Sequence, residues 1–362
     1  MNPGSIPGEA SSFQQSRFRA KIWASAYDQS KPDMKHGGDL PYNSKADRGD
    51  WLDLSTGINP HPYSLPDLSA SDWQTLPSQF GLDELLSAAR RYYQVPDAIG
   101  IIAVPGTEAA ISQFPDFCPG SVDIIEPTYS SHRTAWAADG RTATSLGALP
   151  AKPAENHLVV VNPNNPTGDL LAPEELLATA RSLASDRFLI VDEAFMDCTP
   201  QMSIVPHMQP DLPVIVLKSF GKFFGLAGLR LGFVIGNPAL LKKFSDRFGE
   251  WCISGPALKI GAAAFNDSQW QSAMRTRLGK DMAKLADMLS HRHQLVGKTD
   301  LFLTCRHRNA QGLHRFLADH KIWTRSFSYE PDWLRFGLPK TEENLVRLAQ
   351  YLSAFDEPVG GS

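Results

Sequence analysis

Lys222, Ser219 and Arg230 fall within one short stretch, Val216-Leu-Lys-Ser-Phe-Gly-Lys-Phe-Phe-Gly-Leu-Ala-Gly-Leu-Arg-Leu-Gly232. A primary amine is the group that forms a Schiff base with a carbonyl compound. A hydroxyl and a guanidinium beside it suit a phosphate on that compound, the guanidinium through a two-point clamp that a lysine lacks. Gly225, Gly228 and Gly232 keep side chains clear, so backbone N–H groups can approach the anion. This is the chemistry of an enzyme that holds pyridoxal phosphate through Lys222. Lys218 competes for the same role. Its place at the end of an apolar strand predicts a structural or solvent-facing side chain instead, and Ser219 and Arg230 both select Lys222. A nucleotide P-loop is excluded, because Phe223 stands where a Ser or Thr would bind magnesium.

Other residue types complete the set. Asp192 closes an apolar run, Ile190-Val-Asp-Glu-Ala-Phe195, and a buried carboxylate there requires a cationic partner. A pyridinium nitrogen is such a partner, and keeping it protonated makes the ring an electron sink. A cap on the following turn is the alternative reading of Asp192. Asn165 sits in Asn162-Pro-Asn-Asn-Pro-Thr-Gly168, where two prolines and a glycine present its amide rigidly enough to donate to the cofactor's phenolic oxygen. A plain Asn-Pro turn is the alternative. Gly106, Thr107 and Glu108 open an apolar helical stretch whose first N–H groups suit a phosphate. Tyr129 either stacks on the pyridine ring or serves as a core aromatic. His291, His293, Cys305, His307 and His314 match no metal-ligand spacing, and no metal is expected.

These groups need a frame. Apolar runs at 101–104, 122–125, 158–161, 188–191 and 214–217 read as strands. A helix opened by Pro173-Glu-Glu175 lies between two of them, with Leu176, Leu177, Ala180, Leu183 and Ala184 as its buried stripe. Leu85, Leu86, Ala89 and Tyr92 share a second helical face. Alternating strands and helices predict an α/β fold, with a mostly parallel sheet sandwiched by helices. Ligands of such sheets gather at the carboxyl ends of the strands, where Asn165, Asp192, Ser219 and Lys222 all fall. Beyond Gly232 the pattern predicts a long helical region over 238–265, another over 268–297, and a smaller α+β domain. That domain includes Leu301-Phe-Leu-Thr304 and Leu334-Arg-Phe336. The expected division is a large domain over 66–255 and a small one over 256–356, with 35–65 packing against the latter. Residues 1–34 read as a partly disordered leader and 357–362 as a tail.

Composition narrows the function classes. The 362 residues carry 35 Lys and Arg against 39 Asp and Glu, a net charge of −4 that argues against a nucleic-acid binder. No apolar run is long enough for a membrane span, because Arg230 interrupts the best one, and no signal-peptide core is visible. Cys118, Cys198, Cys252 and Cys305 show no paired spacing, which suits a reducing, cytoplasmic setting.

Asn165-Pro-Thr-Gly168, Asp192-Glu-Ala194 and Ser219-x-x-Lys222 with Arg230 together resemble the signature of fold type I pyridoxal-phosphate enzymes. Within that superfamily the chain is similar to histidinol-phosphate aminotransferases. It is more similar to the threonine-phosphate decarboxylase family of cobalamin biosynthesis, through Lys35-His-Gly-Gly38, Asp53-Leu-Ser-Thr-Gly-Ile-Asn-Pro60 and Asp192-Glu-Ala-Phe195. The resemblance implies a homodimer acting on a phosphorylated amino acid, with no nucleic-acid or membrane partner. It implies that Lys222 carries the cofactor and moves protons, that Asp192 pairs with the pyridinium and Asn165 with the phenolic oxygen, and that Tyr129 covers the ring. Gly106, Thr107, Glu108, Ser219 and Arg230 then hold the phosphate. Arg335, Arg325 and His36 match positions that bind the substrate's anionic groups, and Gly57 a place where backbone approaches its carboxylate. The expected reaction is loss of carbon dioxide from L-threonine O-3-phosphate; an aminotransferase acting on a similar amine and a catalytically silent scaffold are the alternatives. Two departures stand out. Phe195 replaces the tyrosine usual in aminotransferases, and Leu76-Pro77 stand where relatives place a tyrosine that reaches the neighbouring subunit.

Overall fold

The computed structural model describes residues 37–41, 49–150, 155–184 and 186–356. In chain order the strands are β1 (Leu52–Asp53), β2 (Gly100–Val104), β3 (Val122–Ile125), β4 (Ala143–Leu146), β5 (His157–Val161), β6 (Leu189–Asp192) and β7 (Val214–Ser219). They continue as β8 (Gly232–Gly236), β9 (Gln294–Lys298), β10 (Phe302–Arg306), β11 (Ile322–Trp323), β12 (Arg325–Ser326) and β13 (Trp333–Gly337). β2 to β8 form a seven-stranded sheet in the order β2-β8-β7-β6-β5-β3-β4. Every neighbouring pair is parallel except those of β8, which runs against both β2 and β7.

The apolar runs become central strands because both faces of the sheet are covered. Side chains alternate between two cores. Leu158 and Val160 of β5, Leu189 and Val191 of β6, and Val214 and Val216 of β7 enter one. Val159, Ile190, Ile215 and Leu217 enter the other. β6 begins one residue later than predicted, so Asp192 is its last residue.

The four-stranded sheet β12-β13-β10-β9 is antiparallel throughout. β1 pairs in parallel with β11, and Gly337 N donates to Leu54 O at 2.7 Å, so the 52–54 segment lies along this part of the chain.

Three helical boundaries differ from the sequence reading. The region 238–265 is two helices, Pro238–Phe248 and Gly255–Asn266. Gly249 ends the first at a φ of 77°, and Ser254 caps the second through its bond to Ala257 N, with Pro256 in the first turn. The helix expected to reach 297 runs Ser268–Ser290, because Gln294–Lys298 pairs with β10 as β9. The helix from Pro173 ends at Ser182; Leu183, placed on its buried stripe, is extended, with ψ 151°.

Candidate active site

β2, β5, β6 and β7 all point the same way, so their carboxyl ends open on one rim. A cavity there is lined by Gly106, Thr107 and Glu108 after β2, Tyr129 after β3, and Asn165 after β5. Asp192, Ser219, Lys222 and Arg230 complete its wall, with Phe195 beside them. His36 lies outside the described residues. Among the described residues, no group of three or more His, Cys, Asp or Glu could hold a metal ion.

Asp192 is 3% exposed. Its Oδ1 accepts from Ala194 N at 3.1 Å, so the turn-capping reading is real, but its Oδ2 lies 3.0 Å from His132 Nε2. His132 is fully buried and its Nδ1 has no hydrogen-bond partner, which assigns the proton to Nε2 and aims it at the carboxylate. The sequence reading missed His132. Its only signal was a histidine three positions after Tyr129, at the start of the Ser131–Ala138 helix.

Lys222 projects from a four-residue helix, Phe220–Phe223, directly after β7. Such a short helix has little stability of its own. Phe220, Phe223 and Phe224 hold it down; all three are completely buried, with Phe220 stacked on Phe224 at 4.4 Å and Phe224 on Trp270 at 5.6 Å. Each buried ring contributes roughly 2–3 kcal/mol. The Lys222 amine sits 5.6 Å from the centre of the Phe195 ring. Burial, then the Arg335 and Arg230 cations, hold its pKa down at about 8, against the pull of Asp192 and Glu108. An amine so lowered is readily available as a nucleophile near neutral pH.

The solvent-facing option for Lys218 is corrected. Lys218 shares the β7 face of Val214 and Val216, which turns it into the core, where its side chain is 2% exposed. There its amine is ion-paired with the fully buried Glu193, lies 3.1 Å from Ser203 Oγ, and rests over the Tyr93 ring at 4.9 Å.

Gly106 stands at a φ of 83°, and a Cβ there would come within 2.6 Å of Arg230 Nη2. Only glycine lets the guanidinium lie against the start of the Thr107–Ile111 helix. Arg230 is steadied by its bond from Nη1 to Ala227 O at 3.1 Å. The Tyr129 hydroxyl donates to Glu108 Oε2 at 2.9 Å, and burial pushes its pKa up.

Arg335 and Arg325 stand directly opposite each other on β13 and β12. Like charges so placed repel. Arg335 is 6% exposed; its Nη1 donates to Asn165 Oδ1, its Nη2 donates to Ser55 O at 2.7 Å, and its Nε has no partner. Burial and Arg325 lower its pKa to about 10. Because Asn165 spends its carbonyl on Arg335, its NH2 is left for the cavity. Gly57 packs against two rings, where a Cβ would meet Phe195 at 2.7 Å and Phe302 at 3.0 Å. The cavity wall therefore carries an amine, a buried carboxylate and Arg230, with Arg335 close enough to lower the Lys222 pKa.

The description "Aminotransferase class I and II" matches residues 50–352. The chain belongs to that family. It is 41% identical over 331 residues to the threonine-phosphate decarboxylase of Sinorhizobium sp, covering 89% of this chain and 98% of that protein. It is 40% identical over 335 residues to the threonine-phosphate decarboxylase of Pseudomonas aeruginosa, covering 90% and 99%. The crystal structure of the histidinol-phosphate aminotransferase from Clostridium acetobutylicum superposes with a TM-score of 0.74 at 20% identity, over 84% of this chain and 98% of that one. That likeness fixes the fold as type I. The cofactor of the family is pyridoxal 5'-phosphate. The lining fits that group: it carries an amine on Lys222, a buried carboxylate on Asp192, and a turn at Gly106 against Arg230 that a Cβ would fill.

Proposed function

We propose that the protein is a pyridoxal-phosphate-dependent decarboxylase that converts L-threonine O-3-phosphate to (R)-1-amino-2-propanol O-phosphate, a precursor in cobalamin biosynthesis. The observation that carries this reading is the Arg325–Arg335 pair. Two guanidinium groups facing across neighbouring strands, one of them buried with an unused N–H, suit a substrate bearing both a carboxylate and a phosphate. Identities of 40 and 41% to two threonine-phosphate decarboxylases over nearly their whole lengths support the same substrate class.

In this reading Lys222 carries the cofactor. Thr107, Ser219 and Arg230, with the backbone of Gly106 and the neighbouring Glu108, surround its phosphate. Asp192, backed by His132, holds the ring nitrogen protonated, Asn165 donates to the phenolic oxygen, and Tyr129 covers the ring. When bound, pyridoxal phosphate accepts the electron pair left behind as the carboxylate departs. Arg335 and Arg325 would anchor the two anions and so orient the substrate's Cα bonds. Lys222, with a pKa of about 8, would hold a proton and return it to Cα at neutral pH. The exposed side chains Trp73, Leu76 and Phe80 support association of two copies through the 66–255 domain. Among the described residues no helix is long and apolar enough to cross a membrane. The four free cysteines support a reducing, cytoplasmic setting.

Product analysis tests the proposal. Purified holoenzyme given L-threonine O-3-phosphate should form 1-amino-2-propanol O-phosphate with no oxo acid present. Amine transfer that requires an oxo acid and forms no aminopropanol phosphate would replace this reading by the aminotransferase one.

A further inference from the structure

Residues 54–63 connect two parts of the site that the strands alone leave independent. At one end, Leu54 O accepts from Gly337 N and Ser55 O accepts from Arg335 Nη2, both at 2.7 Å. At the other end, three consecutive carbonyls of the Lys222 turn are taken. Lys222 O accepts from Asn59 N at 3.0 Å, Phe223 O from Asn59 Nδ2 at 2.7 Å, and Phe224 O from Tyr63 N at 2.9 Å. The last carbonyls of a helix have no partner within it, and a helix of four residues must find nearly all of them elsewhere. The two segments are in close contact. A Cβ on Gly225, which stands at a φ of 69°, would lie 2.7 Å from Pro62 Cα and 2.8 Å from Asn59 O.

Asn59 is the centre of this attachment. It is 2% exposed, and its Oδ1 accepts from His61 N at 2.8 Å while its Nδ2 serves Phe223 O. Both ends of the amide are therefore engaged with the chain itself. No apolar side chain of the same size could make both bonds.

We propose that Asn59 is a positioning residue for Lys222. It fastens the turn that carries the amine to the same segment that braces Arg335, and so sets where the amine stands relative to the substrate's anionic groups. This deepens the reading above and rests on it, since Lys222 must be the reacting amine.

Two variants test it in the holoenzyme. Asn59→Asp keeps the shape and the acceptor for His61 N but turns an oxygen toward Phe223 O; Asn59→Ala removes both bonds. With L-threonine O-3-phosphate, kcat is expected to fall about tenfold or more while KM changes less than about threefold, because the substrate arginines keep their own contacts. The midpoint of a pH titration of the cofactor's visible absorbance is expected to move as well. Wild-type kcat and midpoint in both variants, with only thermal stability lowered, would reduce Asn59 to a packing residue. Should either variant fail to fold, hydrogen exchange on the wild-type holoenzyme decides. The Asn59 and Tyr63 amides should exchange as slowly as those of β7, and loop-like exchange overturns the proposal. A wild-type protein that takes up no cofactor at Lys222 would instead remove the functional reading and this inference together.

Discussion

Replacing Arg335 by methionine separates a cation kept for a ligand from one kept for the fold. Its pKa is lowered from 12.5 to about 10, chiefly by burial and then by Arg325. That corresponds to about 3 kcal/mol of unfavourable free energy for carrying the charge without an anion. Against it stand the bonds to Asn165 Oδ1 and Ser55 O, each worth about 1.5–3 kcal/mol for a charged donor. The balance leaves about 0–3 kcal/mol, so Arg335→Met should lower holoenzyme stability by no more than about 3 kcal/mol. A buried cation whose job is to balance a buried carboxylate would cost about 3–5 kcal/mol when removed. Ligand affinity should behave oppositely. Loss of a charge-assisted contact of about 3 kcal/mol weakens binding by about two powers of ten. The assays are denaturant unfolding and calorimetric titration with 3-phosphoglycerate, which carries a carboxylate and a phosphate but no amine. The ligand should stabilise the wild type against unfolding and leave the variant unchanged. A variant that loses more than about 3 kcal/mol of stability yet binds 3-phosphoglycerate normally would refute the reasoning.

Three further outcomes follow from the same geometry. Asp197 is 2% exposed with one carboxylate oxygen unpaired, and burial raises its pKa from 3.8 to about 6. The folded state therefore holds this proton more tightly than the unfolded chain, so stability should fall by about 3 kcal/mol as pH rises through that window. Asp197→Asn should flatten this loss in unfolding curves measured across it; an unchanged pH profile would count against the assignment. Lys218→Met should cost about 3–5 kcal/mol by leaving Glu193 buried without its cation, and adding Glu193→Gln should recover much of it. Additive losses in that double-mutant cycle would contradict the pairing. Phe195→Tyr places a hydroxyl near the Lys222 amine, now 5.6 Å from the ring centre, and should lower the midpoint of the visible-absorbance titration. An unmoved midpoint would show that Phe195 does not tune the linkage.

The central sheet was legible because its strands are short apolar runs bounded by turn residues, and burial on both faces makes such runs unambiguous. The residues around Lys222 could be grouped for a different reason: Asp192 and Ser219 end strands and Asn165 and Lys222 follow them, where parallel sheets bring their ends together. His132 was hidden. It meets Asp192 only through the packing of the Ser131–Ala138 helix, and no spacing along the chain links positions sixty apart. Lys218 was half legible, since strand parity turns it inward but the sequence does not announce Glu193 as its partner. The helix expected through 297 failed because pairing with β10 overrides local preference over Gln294–Lys298. Asn59 lay in a recognised run, yet its value rests on two carbonyls far away in sequence, those of Lys222 and Phe223.

The central claim is that Lys222 is the amine joined to pyridoxal phosphate. Borohydride reduction of the holoenzyme followed by peptide mass spectrometry tests it most directly. The reduced cofactor should be found on Lys222, leaving Lys218 unmodified, and should be missing from Lys222→Ala. Label on another lysine, or none after incubation with the cofactor, would contradict the account.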